Sequence, residues 1–96
     1  MSSLHTISRS PRSQLLESCL ASISDDDAIL FIEDGVYHCA NQDLLSKIPA
    51  KINCFGLKED ISARGLKVAE ESSLDIANYR KFVELCTQYD KVISWF

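Results

Sequence analysis

Residues 28–32, AILFI, form an unbroken apolar run of strand length, bounded by SDDD (24–27) on one side and Glu33-Asp34-Gly35 on the other. A strand with one wet face alternates apolar and polar residues, whereas this run has no polar side to offer water. It predicts a central strand of a parallel sheet, covered by helices on both faces. In open sheets of that kind, sites gather at the carboxyl ends of the strands, which directs attention to Glu33-Asp34-Gly35 and to Cys39 soon after.

The flanking segments fit such a sheet. LHTIS (4–8) reads as a short strand with β-branched Thr6 and Ile7. A helix is expected from about Ser10, with Ser10 as cap, Pro11 in the first turn and Leu15, Leu16, Cys19, Leu20 and Ile23 on its apolar face. VYHCANQDLLSKI (36–48) reads as one short helix or two half-helices before Pro49. KINCFGL (51–57) is a third strand, with Ile52, Cys54 and Gly56 on one face and Phe55 and Leu57 on the other. KEDISARG (58–65) predicts a short helix ended by Gly65 in a left-handed cap, and SLDIA (73–77) a weaker strand. NYRKFVELCTQY (78–89) has the clearest helical period, capped by Asn78, with Tyr79, Phe82, Val83, Cys86 and Tyr89 forming the stripe. KVISWF (91–96) is a last strand. Alternating strands and helices predict one α/β domain over residues 1–96, a three-layer flavodoxin-like arrangement with a mostly parallel sheet of about five strands.

Charge and cysteine usage narrow the function. Ten Lys and Arg against 14 Asp and Glu give a net charge of -4, and the bases are scattered, so no groove tracks phosphates and direct nucleic-acid binding is not expected. The 46% hydrophobic content is generous for 96 residues and predicts partner subunits. The polar opening MSSLHTISRSPRSQ does not read as a secretory leader, and Cys19, Cys39, Cys54 and Cys86 are widely and irregularly spaced. Free thiols in a cytoplasmic protein are expected. His5 and His38 have no ligand at metal-binding spacing, and no run is long enough to span a bilayer, so neither metal, cofactor nor membrane is expected.

Catalytic motifs are absent: no Ser/His/Asp order, phosphate loop, G-x-G-x-x-G or H-E-x-x-H occurs. Cys39 follows His38, but neighbours on a helix diverge, so the dipeptide is not a Cys-His pair and Cys39 reads as incidental. Glu33 and Asp34 are either an acid/base couple or a turn acid followed by a left-handed glycine, and the turn is favoured. Cys19 sits mid-helix on the core-facing side, where a thiol is most often a small apolar filler. Trp95 and Phe96 either finish the core or face a partner, and Tyr37 could serve either purpose.

LHTISRSP, FIEDGVY, EDISARGL and DIANYRKFVELC followed by ISWF keep the order and spacing of the TusB/DsrH family, which the chain resembles over nearly its whole length. The resemblance implies a DsrEFH-like fold and a subunit of a sulfur-relay complex. Its partners would be TusC-like and TusD-like homologous subunits in a dimer of heterotrimers, with TusA-type and TusE-type carriers reached through the complex. The relay ends in 2-thiouridine at the tRNA wobble position, and its principal persulfide cysteine belongs to the TusD-type subunit, leaving a TusB-like chain mainly architectural. The family pattern has no sulfur-handling cysteine at the place of Cys39. A DsrH-type subunit of a sulfur-oxidation complex is the alternative, because LESCL (16–20) is similar to a DsrH first-helix context in which Cys19 would be an accessory sulfur acceptor. Two rivals stand outside the architectural reading: an autonomous persulfide carrier using Cys19, and a flavodoxin-like ligand binder using the hydroxyls and arginine of SRSP.

Overall fold

The computed structural model describes residues 2–69 and 73–96. The strands are β1 (Ser3–Ile7), β2 (Ala28–Phe31), β3 (Asn53–Leu57), β4 (Asp75–Ala77) and β5 (Lys91–Trp95), in the sheet order β4-β3-β2-β1-β5. Every pairing is parallel. The helices are α1 (Leu15–Ser22), α2 (Gln42–Leu45), α3 (Lys58–Ala63) and α4 (Tyr79–Gln88), with 3-10 segments at Pro11–Ser13 and Glu33–Ala40.

As the apolar run requires, β2 is central and its four residues have no solvent exposure. Its alternate residues serve two cores. Ile29 and Phe31 pack with Ile7, Leu16, Cys19, Val36, Cys39, Cys54 and Ile61, beneath α1, α2, α3 and the longer 3-10 segment. Ala28 and Leu30 pack with Leu4, Phe55, Ala77 and Leu85, beneath α4 alone. The result is the expected three-layer arrangement, with the sheet wholly parallel among the described strands.

Three local expectations are corrected. Helix α1 begins at Leu15: Ser10 is extended and opens only the single 3-10 turn Pro11–Ser13, after which Gln14 turns left-handed at φ 61. That reversal still aims Leu16 and Cys19 at the sheet, so the apolar face lies where the spacing put it. At the end of β2 the left-handed residue is Glu33, at φ 49, and not Gly35. Gly35 is required for a different reason, because a Cβ there would collide with the Ile7 carbonyl oxygen. On α4 the stripe divides: Phe82, Cys86 and Tyr89 flank buried Leu85, whereas Tyr79 and Val83 are 54% and 64% exposed. Helix α4 covers the sheet with a narrow face, and the sequence stripe is wider than that face.

The caps at Asn78 and Gly65 behave as read, whereas Ser10 makes no side-chain cap. Asn78 Oδ1 accepts from the Lys81 amide at 2.9 Å, and Gly65 takes φ 62 after α3. Asn41 supplies a cap not anticipated, accepting from the Leu44 amide and separating the 3-10 segment from α2.

Candidate functional site: the buried thiols and the β5 edge

Cys19, Cys39 and Cys54 reach the same core from three elements: the buried side of α1, the 3-10 segment after β2, and the inward face of β3. Cys39 sits directly over Gly56, where a Cβ would lie 2.7 Å from its Sγ, so β3 gives up a side chain to seat this thiol. Cys19 is wholly buried and Cys39 and Cys54 nearly so. Burial pushes each thiol up to about 12, with Asp27 adding to the rise at Cys19, Cys54 at Cys39, and Cys19 at Cys54. An apolar site disfavours the thiolate, and nearby negative charge disfavours it further. A cavity of about 190 Å³ lined by Leu45, Ile48, Ile52, Ser73 and Leu74 gives Cys54 its small exposure. Cys86, half-buried on α4, belongs to the opposite layer.

The chemistry follows from thiolate supply. A pKa near 12 leaves about a thousandfold less thiolate at neutral pH than a pKa of 9.0 does. The greater intrinsic nucleophilicity of a more basic thiolate recovers only ~20-fold of that, before steric exclusion is counted. These three thiols act as small apolar fillers in this fold.

The strand-end turn is a structural device. The Glu33 amide donates to Asp60 Oδ2 at 2.6 Å, which holds the left-handed residue. Arg64 donates from Nε and Nη2 to Asp34 Oδ1 at 3.1 and 3.0 Å and from Nη1 to the Asp60 carbonyl at 3.4 Å. Asp34 thus faces an arginine and not Glu33, and no acid/base couple forms there.

Two histidines carry more structural consequence than their sequence context suggested. His5, in the middle of β1, has Nε2 2.8 Å from Asp27 Oδ2, while Trp95 Nε1 donates to its Nδ1 at 3.1 Å. Because the indole can only donate, Nδ1 is the accepting nitrogen and Nε2 faces the carboxylate as the donor. Asp27 also accepts from the Ser3 and Ser24 amides. Burial works against its ionisation, but these hydrogen bonds and the neighbouring His5 outweigh it and hold the carboxyl below its usual range. The chain Asp27-His5-Trp95 ties β5 to the start of β2 across β1. His38 is buried and stacked on Phe31 at 4.9 Å. Neither of its ring nitrogens meets a partner in good hydrogen-bond geometry among the described residues. Burial lowers its pKa, and the Arg9 backbone opposes part of that shift. An alternating strand with a polar residue at its centre was the available signal for His5. Nothing local marked Asp27 or His38.

The topology switches direction between β1 and β5, where a ligand of a flavodoxin-like protein would be sought. There the Ser8 amide and hydroxyl both donate to the Trp95 carbonyl, at 3.4 and 3.2 Å, and the Ser10 carbonyl accepts from Ser13. The Ser8 hydroxyl closes the loop onto β5, and the Ser10 carbonyl closes the 3-10 turn. Of the expected interface residues, Trp95 and Phe96 lie together at the β5 edge. Trp95 is partly buried against the first core and Phe96 is 82% exposed. Tyr37 stands apart on the 3-10 segment, half-exposed. Among the described residues no three His, Cys, Asp or Glu side chains cluster to hold a metal ion, and no helix is long and apolar enough to cross a membrane.

A sequence profile of the DsrH-like proteins matches residues 9–92. The chain belongs to the DsrH-like family. Relatives of this DsrH-like chain include Protein TusB of Enterobacter sp. (strain 638), 34% identical over 96 residues, with 96% of this chain and 99% of that one covered. Protein TusB of Pectobacterium parmentieri is 29% identical over 94 residues with the same coverage. Two solved structures share the fold. The ychN protein of E. coli superposes with a TM-score of 0.71 at 14% identity, over 99% of this chain and 100% of that one. Tm0979 of Thermotoga maritima gives 0.65 at 20% identity, over 90% and 92%.

Proposed function

We propose that this chain is a TusB-like subunit of a sulfur-relay complex serving 2-thiouridine formation at the tRNA wobble position. In this reading residues 1–96 act as one architectural domain in the cytoplasm, beside TusC-like and TusD-like homologues. The TusD-type partner carries the persulfide, and TusA-type and TusE-type carriers deliver and receive the sulfur through the assembled complex. The transfer itself is attack by one carrier's thiolate on the outer persulfide sulfur of another, with the donor thiolate leaving, and its rate depends on thiolate fraction and access.

The observation that carries the proposal is the pairing of near full-length TusB similarity with three core thiols whose pKa values are raised to about 12. A chain of this family with unreactive thiols is suited to shaping a partner's site. The scattered bases and net charge of -4 agree with contact to protein carriers more than to tRNA. A DsrH-type role in sulfur oxidation, with Cys19 as accessory acceptor, draws support from LESCL but requires α1 to lift from the sheet, because Cys19 has no exposed surface.

Co-expression with the two homologous subunits, followed by native mass spectrometry, tests the reading. A mixed complex containing this chain is expected. Assembly of the other two subunits without it would overturn the architectural role.

A further inference from the structure

The contact between His5 and Trp95 can exist in one protonation state only. Trp95 Nε1 lies 3.1 Å from His5 Nδ1, and an indole nitrogen donates but never accepts, so Nδ1 must offer its lone pair. A proton on Nδ1 removes that lone pair and sets two N–H donors against each other. The ring faces offer no substitute. With centroids 6.3 Å apart, planes inclined by 27° and the two nitrogens at 3.1 Å, the rings meet edge to edge. An imidazolium in this place faces the positive edge of the indole and not its electron-rich face.

The opposite side of the imidazole is built to accept the charge. Nε2 stands 2.8 Å from Asp27 Oδ2, and Asp27 also accepts from the Ser3 and Ser24 amides. These contacts hold the Asp27 carboxyl below its usual range, so it stays ionised in mild acid and faces the imidazole as an anion. His38 is the contrast: it is equally buried, but neither ring nitrogen has a partner in good geometry among the described residues. On the elements around His5 the other titratable or charged groups are Arg9 and Arg12 after β1, Glu17 and Cys19 on α1, Asp25 and Asp26 before β2, and Asp90 and Lys91 at the start of β5. Cys19 keeps its proton to about 12, and the rest are exposed.

We propose that His5 is a proton-operated latch on the C-terminal edge of the sheet. Neutral His5 holds the Trp95 indole against the first core, and protonation at Nδ1 releases the indole while Asp27 keeps the imidazole in place. The proton comes from solvent, no covalent bond breaks, and the freed indole N–H turns to water. The strand itself stays, because the Ser8 amide and hydroxyl both donate to the Trp95 carbonyl and β5 pairs with β1 from Lys91 to Trp95. Release is therefore a side-chain movement. It adds the indole to an edge where Phe96 is already 82% exposed, so a proton is coupled to how much aromatic surface that edge offers.

One tryptophan and two histidines make both ends of the latch readable without substitution. The full-length chain, isotopically labelled on nitrogen, is titrated by NMR from about pH 8 to about pH 5, the span in which imidazoles change charge. The imidazole nitrogens of His5 and the indole Nε1–H of Trp95 are followed together, with His5→Gln as a reference that donates to Asp27 but takes no proton. At the start Nδ1 should bear no proton. As His5 is protonated, the indole resonance should shift in step and its exchange with water should quicken about tenfold, with the dispersed backbone spectrum retained. In His5→Gln the indole should not respond to pH. An indole that stays put while His5 takes its proton, or that follows His38 instead, overturns the proposal. So does a His5 that remains neutral until the backbone spectrum collapses, or an indole response of equal size in His5→Gln. If that variant does not fold, the outcomes on the parent chain still decide. The latch needs no partner chain, so it and the sulfur-relay reading stand or fall separately.

Discussion

Raising the pH from 8 to 10 should destabilise this protein by about 4 kcal/mol through its buried thiols alone. In the unfolded chain each thiol ionises near 9.0, whereas in the fold Cys19, Cys39 and Cys54 hold their protons to about 12. A group whose folded pKa is raised contributes stability that is complete below the unfolded value and is lost as pH rises toward the folded one. At pH 10 the unfolded state gains roughly 1.4 kcal/mol per thiol by releasing a proton the native state retains, and three thiols together give the ~4 kcal/mol. The figure is insensitive to the upper pKa, since 11 in place of 12 changes it by little at pH 10. Against a total stability of roughly 5–15 kcal/mol, it should move the urea midpoint by about 3 M. Urea titrations at pH 8, 9 and 10, followed by Trp95 fluorescence, measure the slope. Other groups titrate in this range, so the decisive comparison is with Cys39→Ala. That variant carries a pH-independent cavity cost but should show a pH dependence shallower by about 1.4 kcal/mol between pH 8 and 10. Equal pH dependences in parent and variant, or a native Cys19, Cys39 or Cys54 that alkylates as fast as a peptide thiol at pH 8, would refute the reasoning.

At acid pH His38 contributes, because burial lowers its folded pKa. Its contribution is complete above about 6.5 and is lost as pH falls below that value, so His38→Phe should flatten the stability profile between pH 7 and 5 in thermal melts. Asp27, also lowered but a carboxylate, adds a second loss only below its ordinary value of 3.8. Asp27→Ala strips the Ser3 and Ser24 amides and His5 of their acceptor and should cost about 3–5 kcal/mol by denaturant titration. It should also alter Trp95 emission, through the loss of His5 orientation. Gly35→Ala places a methyl group against the Ile7 carbonyl and should destabilise by about 3 kcal/mol or more, despite a φ that other residues accept. An unchanged melting temperature would show that the close approach is not required.

Much of this architecture was legible because it is written in short-range patterns. The AILFI run identified a strand buried on both faces, and Asn78 and Gly65 marked helix ends through local chemistry. Features that depend on distant neighbours were not legible. Gly35 was read as a turn glycine because its true constraint is the carbonyl of Ile7, set by how the 3-10 segment lies on β1. The α4 stripe promised five facing residues, but the helix crosses to β5 over a sheet face that accepts only part of it. The thiols are the sharpest case. Helical spacing put Cys19 on a core-facing side, yet only the fold brings Cys19, Cys39 and Cys54 into one apolar cluster and so decides their ionisation. The Asp27-His5-Trp95 chain joins residues from both ends of the sequence, and only His5, polar at the centre of an alternating strand, leaves a local trace.

Persulfide trapping on the assembled complex decides whether this chain carries sulfur or only shapes its partner's site. The chain is co-purified with its two homologous subunits, charged with persulfide by a TusA-type donor, tagged with a thiol-alkylating reagent and mapped by peptide mass spectrometry. Persulfide is expected on the TusD-type partner's cysteine, with Cys19, Cys39 and Cys54 of this chain unlabelled until the complex is denatured. Persulfide on Cys19 in the native complex would contradict it and make this chain a sulfur carrier.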